Sequence, residues 1–253
     1  GGFLKFPDEA GIGEAIAKLK NIRPAVLRLV EVFKNAPFHF DRETKFMALT
    51  PEKTFGYVDG EIITSAGEKF AEKDFKDHLE HTVLPYSEAS AYTYRGESYM
   101  VGALARVNLA KDKLHPKTRE SLGTTLDLFP STDIFHNNLA QAIEILHSVD
   151  ESIDILENNK FVSEAPIKAE AKNSTGIGVI EAPRGTLYHK VVLGDDGKVK
   201  EGEVVVPTGQ NQINIERDVA TLVNELLQKP EYADGSDSAK EKIAFEIEKL
   251  IRA

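Results

Sequence analysis

The strongest periodicity in the chain sets Leu139, Ile143, Leu146, Val149, Ile153 and Leu156 on one side of a helix drawn over about 138–158. Asn137 or Asn138 stands where it can cap the first amides, and the length suits a structural spine. A second helix is expected to start at Pro24, whose fixed φ suits a first helical position. It carries Val26, Leu27, Leu29, Val30 and Phe33 and ends near Asn35. Charged positions at helical spacing predict a third over 68–81. A fourth covers 215–228 and stops at Pro230. The last has capping-box spacing at Ser238-Ala239-Lys240-Glu241, followed by apolar Ile243, Phe245, Ile247, Leu250 and Ile251.

Between the helices the pattern shortens. Residues 47–50, 55–58 and 61–64 read as strands, with Asp59-Gly60 as a turn, and 92–94 and 98–101 flank Arg95-Gly96 as another hairpin. Residues 185–193 and 198–206 form two β-rich arms around Gly194-Asp195-Asp196-Gly197, and 231–237 is a polar loop. The expected fold is α+β and helix-rich, with a long central helix and several short antiparallel β-hairpins.

Composition narrows the function. At 253 residues, 41% hydrophobic and 28% charged, the chain can bury a substantial core. No apolar run is long enough for a bilayer, so no membrane insertion is expected. A net charge of −10 argues against nucleic acid or an anionic membrane as partner. There is no cysteine, so neither a disulfide nor a thiolate metal site exists here. The default location is cytoplasmic. Both ends read as cut, because the chain opens on Gly1-Gly2 and closes inside a helix with no Gly or Asn after it.

Candidate chemistry concentrates in Glu181-Ala182-Pro183-Arg184-Gly185 and Val206-Pro207-Thr208-Gly209-Gln210-Asn211. If Asp196-Gly197 are the central residues of the hairpin turn, Arg184 falls opposite Gly209. Centring the turn one residue earlier puts it opposite Pro207, and either register brings the guanidinium near Thr208. Gly185 and Gly209 allow close backbone approach. The result is a cationic fork and a hydroxyl beside peptide groups, suited to a small anion. On spacing alone, a solvated arginine and a threonine in a turn is the cheaper reading. Gly11-Ile12-Gly13 and Gly176-Ile177-Gly178 each lack the third glycine of a dinucleotide fingerprint. His78 and His81 lack a third metal ligand, His136-Asn137-Asn138 is explained by helix capping, and His189 reads as a hydrogen-bonded core histidine.

These motifs, with the His189 that follows the first, resemble the Glu-Ala-Pro-Arg-Gly…His and Val-Pro-Ser/Thr…Asn segments of the nickel–iron hydrogenase large subunit. Residues 98–106 and 135–144 resemble its cytoplasmic-type branch. The resemblance implies a nickel–iron centre with cyanide and carbonyl ligands in the intact subunit, with none bound to this chain. It places Arg184 over the open coordination position, as a base or orienting one, and Pro183, Pro207 and Thr208 against the cofactor. Its partners would be an iron–sulfur small subunit and electron-carrier subunits. The family's four metal-binding cysteines would flank residues 1–253, making this the central portion of a large-subunit domain, inactive alone. The other reading is a cysteine-free structural paralogue related to the quinone-site subunit of respiratory complex I. A nucleotide-binding module is disfavoured by the missing phosphate loop.

Overall fold

The computed structural model describes residues 7–162, 165, 170 and 172–253; the opening Gly1-Gly2 lies outside them. Helix α1 (Glu9–Lys34) is capped by the Asp8 carboxylate, which accepts from Gly11 N at 2.7 Å. It therefore begins well before Pro24, which sits inside it. An internal proline removes one amide and crowds the preceding turn. Tertiary contacts carry the helix through: Val26 and Val30 are buried, and the Arg23 fork grips Asp150 at 2.6 and 2.8 Å.

Strand β1 (Lys45–Thr50) is antiparallel to β2 (Glu61–Thr64), which pairs with β3 (Lys69–Ala71). The intervening 51–60 is a loop, and 55–58 form no strand. Phe55 packs edge-on against His147, with ring centroids 5.0 Å apart. The expected helix over 68–81 is also absent. After β3 come a 3₁₀ turn, the single-turn helix α2 (Phe75–His78) and strand β4 (Leu79–Thr82). Burial of Phe70, Phe75 and Leu79 decides the matter, since charged spacing is a weak constraint once a neighbouring strand offers pairing. His78 stacks on Phe70, centroids 4.1 Å apart, and His81 lies in β4, so the two histidines share no helix face.

Strand β5 (Ala91–Tyr94) pairs with β4, and β6 (Tyr99–Met100) runs parallel to β1. Arg95 and Gly96 do form a tight turn, at φ 52° and 73°, but the strands beside it join different sheets. Helices α3 (Ala103–Ala110) and α4 (Pro116–Leu122) precede the central α5 (His136–Asn158). The α5 stripe lies as expected, with Leu139, Ile143, Leu146, Val149 and Ile153 buried. Neither Asn137 nor Asn138 caps it; the Asn137 amide instead bonds Leu104 N and Ala253 O at 3.1 and 2.7 Å.

A three-stranded meander follows: β7 (Ser174–Ala182), β8 (Gly185–Leu193) and β9 (Val199–Val205). β7 holds the Gly176-Ile177-Gly178 stretch, and His189 on β8 is exposed rather than in the core. Helix α6 (Pro207–Leu227) starts at Pro207 instead of 215. A one-turn α7 (Pro230–Ala233) interrupts the expected loop. Helix α8 (Asp237–Ile251) is capped by Ser236, not Ser238. The fold is α+β. Strand β1 separates two cores: Phe46 faces the α1–α3–α5 layer, while Met47 and Leu49 face Tyr99, Tyr188 and Val205.

Candidate active-site wall

The β7–β8 ladder closes on Ala182↔Gly185, so Pro183 and Arg184 are the central residues of a turn rather than part of an arm facing β9. Across β8 and β9, Tyr188 pairs with Val205, which continues the first of the two expected registers. The ladder then ends, because Pro207 starts α6. The two motifs still meet, but as a turn and a helix start. Pro183, Arg184 and Thr208 line one cavity of about 380 Å³ with Asn211, Asn214 and Gln141. Pro207 is buried at the first helical position and lines neither this cavity nor its neighbour.

Three close approaches set this geometry. Gly185 has φ +131°, and a Cβ there would lie 2.3 Å from Val101 Cγ2. A Cβ on Gly102, at φ +120°, would lie 3.2 Å from Arg184 O. On Gly209 it would meet Ser90 O at 2.5 Å. The Asn211 amide completes the arrangement by bonding both Val101 N and Val101 O, at 2.9 and 3.0 Å. It takes the place of a strand partner and fastens α6 to the segment under the turn.

Beneath the turn lies a buried ionic cluster that sequence reasoning missed. Arg106, 2% exposed, forks onto Glu144 at 2.5 and 2.7 Å and reaches Glu181 at 2.8 Å. The other oxygen of Glu181 accepts from Leu49 N at 2.7 Å and the Thr186 hydroxyl at 2.6 Å. From there the chain of bonds continues, as Thr186 O accepts from Gln210 Nε2 at 2.6 Å and the Tyr99 hydroxyl donates to Gln210 Oε1 at 3.2 Å. Burial raises the Glu181 carboxyl, with Arg106 foremost among the groups opposing it. Burial also opposes the charge on Arg106, but Glu144 and Glu181 outweigh it and keep the guanidinium ionised. Arg106 further lies over the Tyr57 ring, 5.8 Å from its centroid. Burial, then the Glu144 charge, push the Tyr57 phenol up to about 12. Tyr57, Arg106 and Glu144 line a second cavity of about 840 Å³, which shares Pro183 and Arg184 with the first.

The first cavity has a mixed lining, in which apolar side chains such as Met100, Ile134, Ile215 and Val219 surround a few polar groups, several of them hydrogen-bond donors. The donors are the Arg184 side chain, the Thr208 hydroxyl and amide at the start of α6, and Asn214 Nδ2, which is buried without a partner. Its Asp218 carboxylate is already paired with Arg42. Among the described residues no group of three or more His, Asp or Glu side chains is placed to hold a metal. This donor set fits small anionic ligands, not a metal ion directly. His136, the other polar candidate, is tied to the Ser131 hydroxyl at 2.7 Å.

Residues 57–218 match the family model described as nickel-dependent hydrogenase. The alpha subunit of sulfhydrogenase 1 from Pyrococcus furiosus is 30% identical over 229 residues, 88% of this chain and 53% of that protein. The beta subunit of an NAD-reducing hydrogenase from Cupriavidus necator is 29% identical over 201 residues, 72% of this chain and 39% of its own length. A crystal structure of an NAD+-reducing [NiFe]-hydrogenase in the H2-reduced state superposes with a TM-score of 0.73 at 21% identity. That superposition covers 99% of this chain and 60% of the other. The chain thus spans about half the length of the curated relatives it matches.

Proposed function

This chain belongs to the nickel-dependent hydrogenase family, and from that premise we propose that it is the central portion of a catalytic subunit. The intact subunit would oxidise dihydrogen reversibly and pass electrons to a soluble carrier in the cytoplasm. The observation that carries this reading is the cavity shared by Pro183, Arg184 and Thr208, where a few donors stand in an otherwise largely apolar lining. Such a lining suits the cyanide ligands of a nickel–iron centre, while the thiolates for the metals come from segments outside these 253 residues. That centre, when bound, supplies the Lewis acidity that makes dihydrogen acidic and takes up its electrons.

The residues of this chain hold and orient. Thr208, through its hydroxyl and its amide at the start of α6, would hold a cyanide of that centre, with Pro207 fixing the first helical φ. Pro183 shapes the turn that carries Arg184, which acts as a base or orients one while dihydrogen is split. An iron–sulfur small subunit and electron-carrier subunits complete the path, and the 253-residue chain by itself is inactive.

Infrared spectroscopy of the intact subunit tests the Thr208 assignment. Thr208→Val should shift a cyanide stretching band with nickel content unchanged, and unshifted bands would remove Thr208 from the site. The purified 253-residue chain should not reduce methyl viologen under dihydrogen. Turnover by it would overturn the assignment of the metal ligands to other segments.

A further inference from the structure

Arg184 enters no hydrogen bond or ion pair through its guanidinium among the described residues, so its placement comes from the backbone of the turn that carries it. That backbone is held from one side by Arg106. An arginine has five N–H donors, and here each has an acceptor. Nε and one N–H of NH2 take Glu144, one N–H of NH1 takes Glu181, and the remaining two take Ala182 O at 3.1 Å and Pro183 O at 3.2 Å. The last two acceptors are the carbonyls directly before Arg184. Arg106 also belongs to the first turn of α3, where its N–H donates to Gly102 O at 2.9 Å, and Gly102 lies against Arg184 O.

We propose that Arg106 is a positioning residue: clamped by Glu144 and Glu181, it fixes the Ala182 and Pro183 carbonyls and thereby aims Arg184 into the Thr208 cavity. It lines the second cavity and not the one holding Thr208, so it acts through Arg184 and does not touch the reacting atoms. Glu144 and Glu181 supply the counter-charge that keeps this fork buried. A lysine offers three donors at one point and cannot span two carboxylates and two carbonyls.

The inference rests on the function proposed above, and two measurements separate their fates. In the 253-residue chain, Arg106→Lys should speed amide exchange at Arg184 and Gly185 by roughly tenfold or more, leaving the distant turn at Gly194–Gly197 unchanged. Should that variant fail to fold, Glu144→Asp draws the fork back by one methylene, keeps both charges, and should give the same local loosening. In the intact, metal-loaded subunit, Arg106→Lys should lower turnover per nickel by roughly 10- to 100-fold, the scale of a 1 Å misplacement. Combined with Arg184→Lys it should add little further loss, because both act through one group. Losses that multiply, or unchanged exchange at residues 184 and 185, would overturn the positioning role. An Arg184→Lys variant with full activity would instead sink the functional reading, while the exchange result still decides for or against Arg106.

Discussion

At Gly185 the side chain of Val101 occupies the space a Cβ would need. Gly185→Ala combines that overlap with a positive φ, so we expect a loss of about 2–4 kcal/mol in urea unfolding. Gly202, on exposed β9 with nothing within 4 Å of its would-be Cβ, is the control; Gly202→Ala should stay within about 0.5 kcal/mol of the parent. The need for glycine at 185 and 209 was legible in the motifs, because each follows a proline and a polar residue at a point where chains converge. The Arg106 cluster was not. Its partners lie 38 and 75 positions away, and no local pattern separates a buried arginine on a short helix from a solvated one. Pro207 marks a further limit: proline is common both in loops and at N1 of a helix, and only the packing of α6 shows which applies.

At the scale of elements, α1 and α5 are joined by the Arg23 fork on Asp150, whose side chain is fully buried and also accepts from the Thr118 hydroxyl at 2.8 Å. Arg23→Ala leaves that carboxylate with only the Thr118 hydroxyl and the more distant Lys117 ammonium at 3.7 Å, and should cost about 2–3 kcal/mol, measured as a shift in urea midpoint. His147 on α5 is 2% exposed. Its Nδ1 accepts from His115 N at 3.0 Å and its Nε2 lies 3.1 Å from Phe55 O, so a neutral ring satisfies both. Burial lowers its pKa from 6.5. The unfolded chain therefore binds more protons as pH falls past that value, and stability should fall progressively below about pH 6.5. Asp150, held below its ordinary range by Arg23 and Thr118 against the opposing effect of burial, adds a loss at still lower pH. Urea midpoints at pH 7.5 and 5.5 check this, and His147→Gln should flatten the slope between them. Helix α5 was readable because six apolar positions repeat at one period over its whole length. The start of α1 was not, since Pro24 imitates a helix start while contacts with α5 hold the helix through it.

For the whole molecule, the order of elements brings β7, β8, α3 and α6 to one place, so residues far apart in sequence form a single wall. The expected hairpin contributed only part of this, because β7 was hidden by its glycines and the turn at Pro183-Arg184 lies on the β7 side of β8. The α+β class was legible from mixed periodicity, whereas the division into two cores on either side of β1 depends on pairing that sequence does not print. Among the described residues no helix is long and apolar enough to cross a membrane. On the function proposed above, Arg184 serves the splitting of dihydrogen rather than retention of the metals. Arg184→Lys in the intact subunit separates the two roles, with dihydrogen-dependent viologen reduction and metal content measured on the same sample. Turnover per nickel should fall by roughly 100-fold or more while nickel and iron stay at parent levels; turnover within twofold of the parent, or loss of nickel from the variant, would rule that role out.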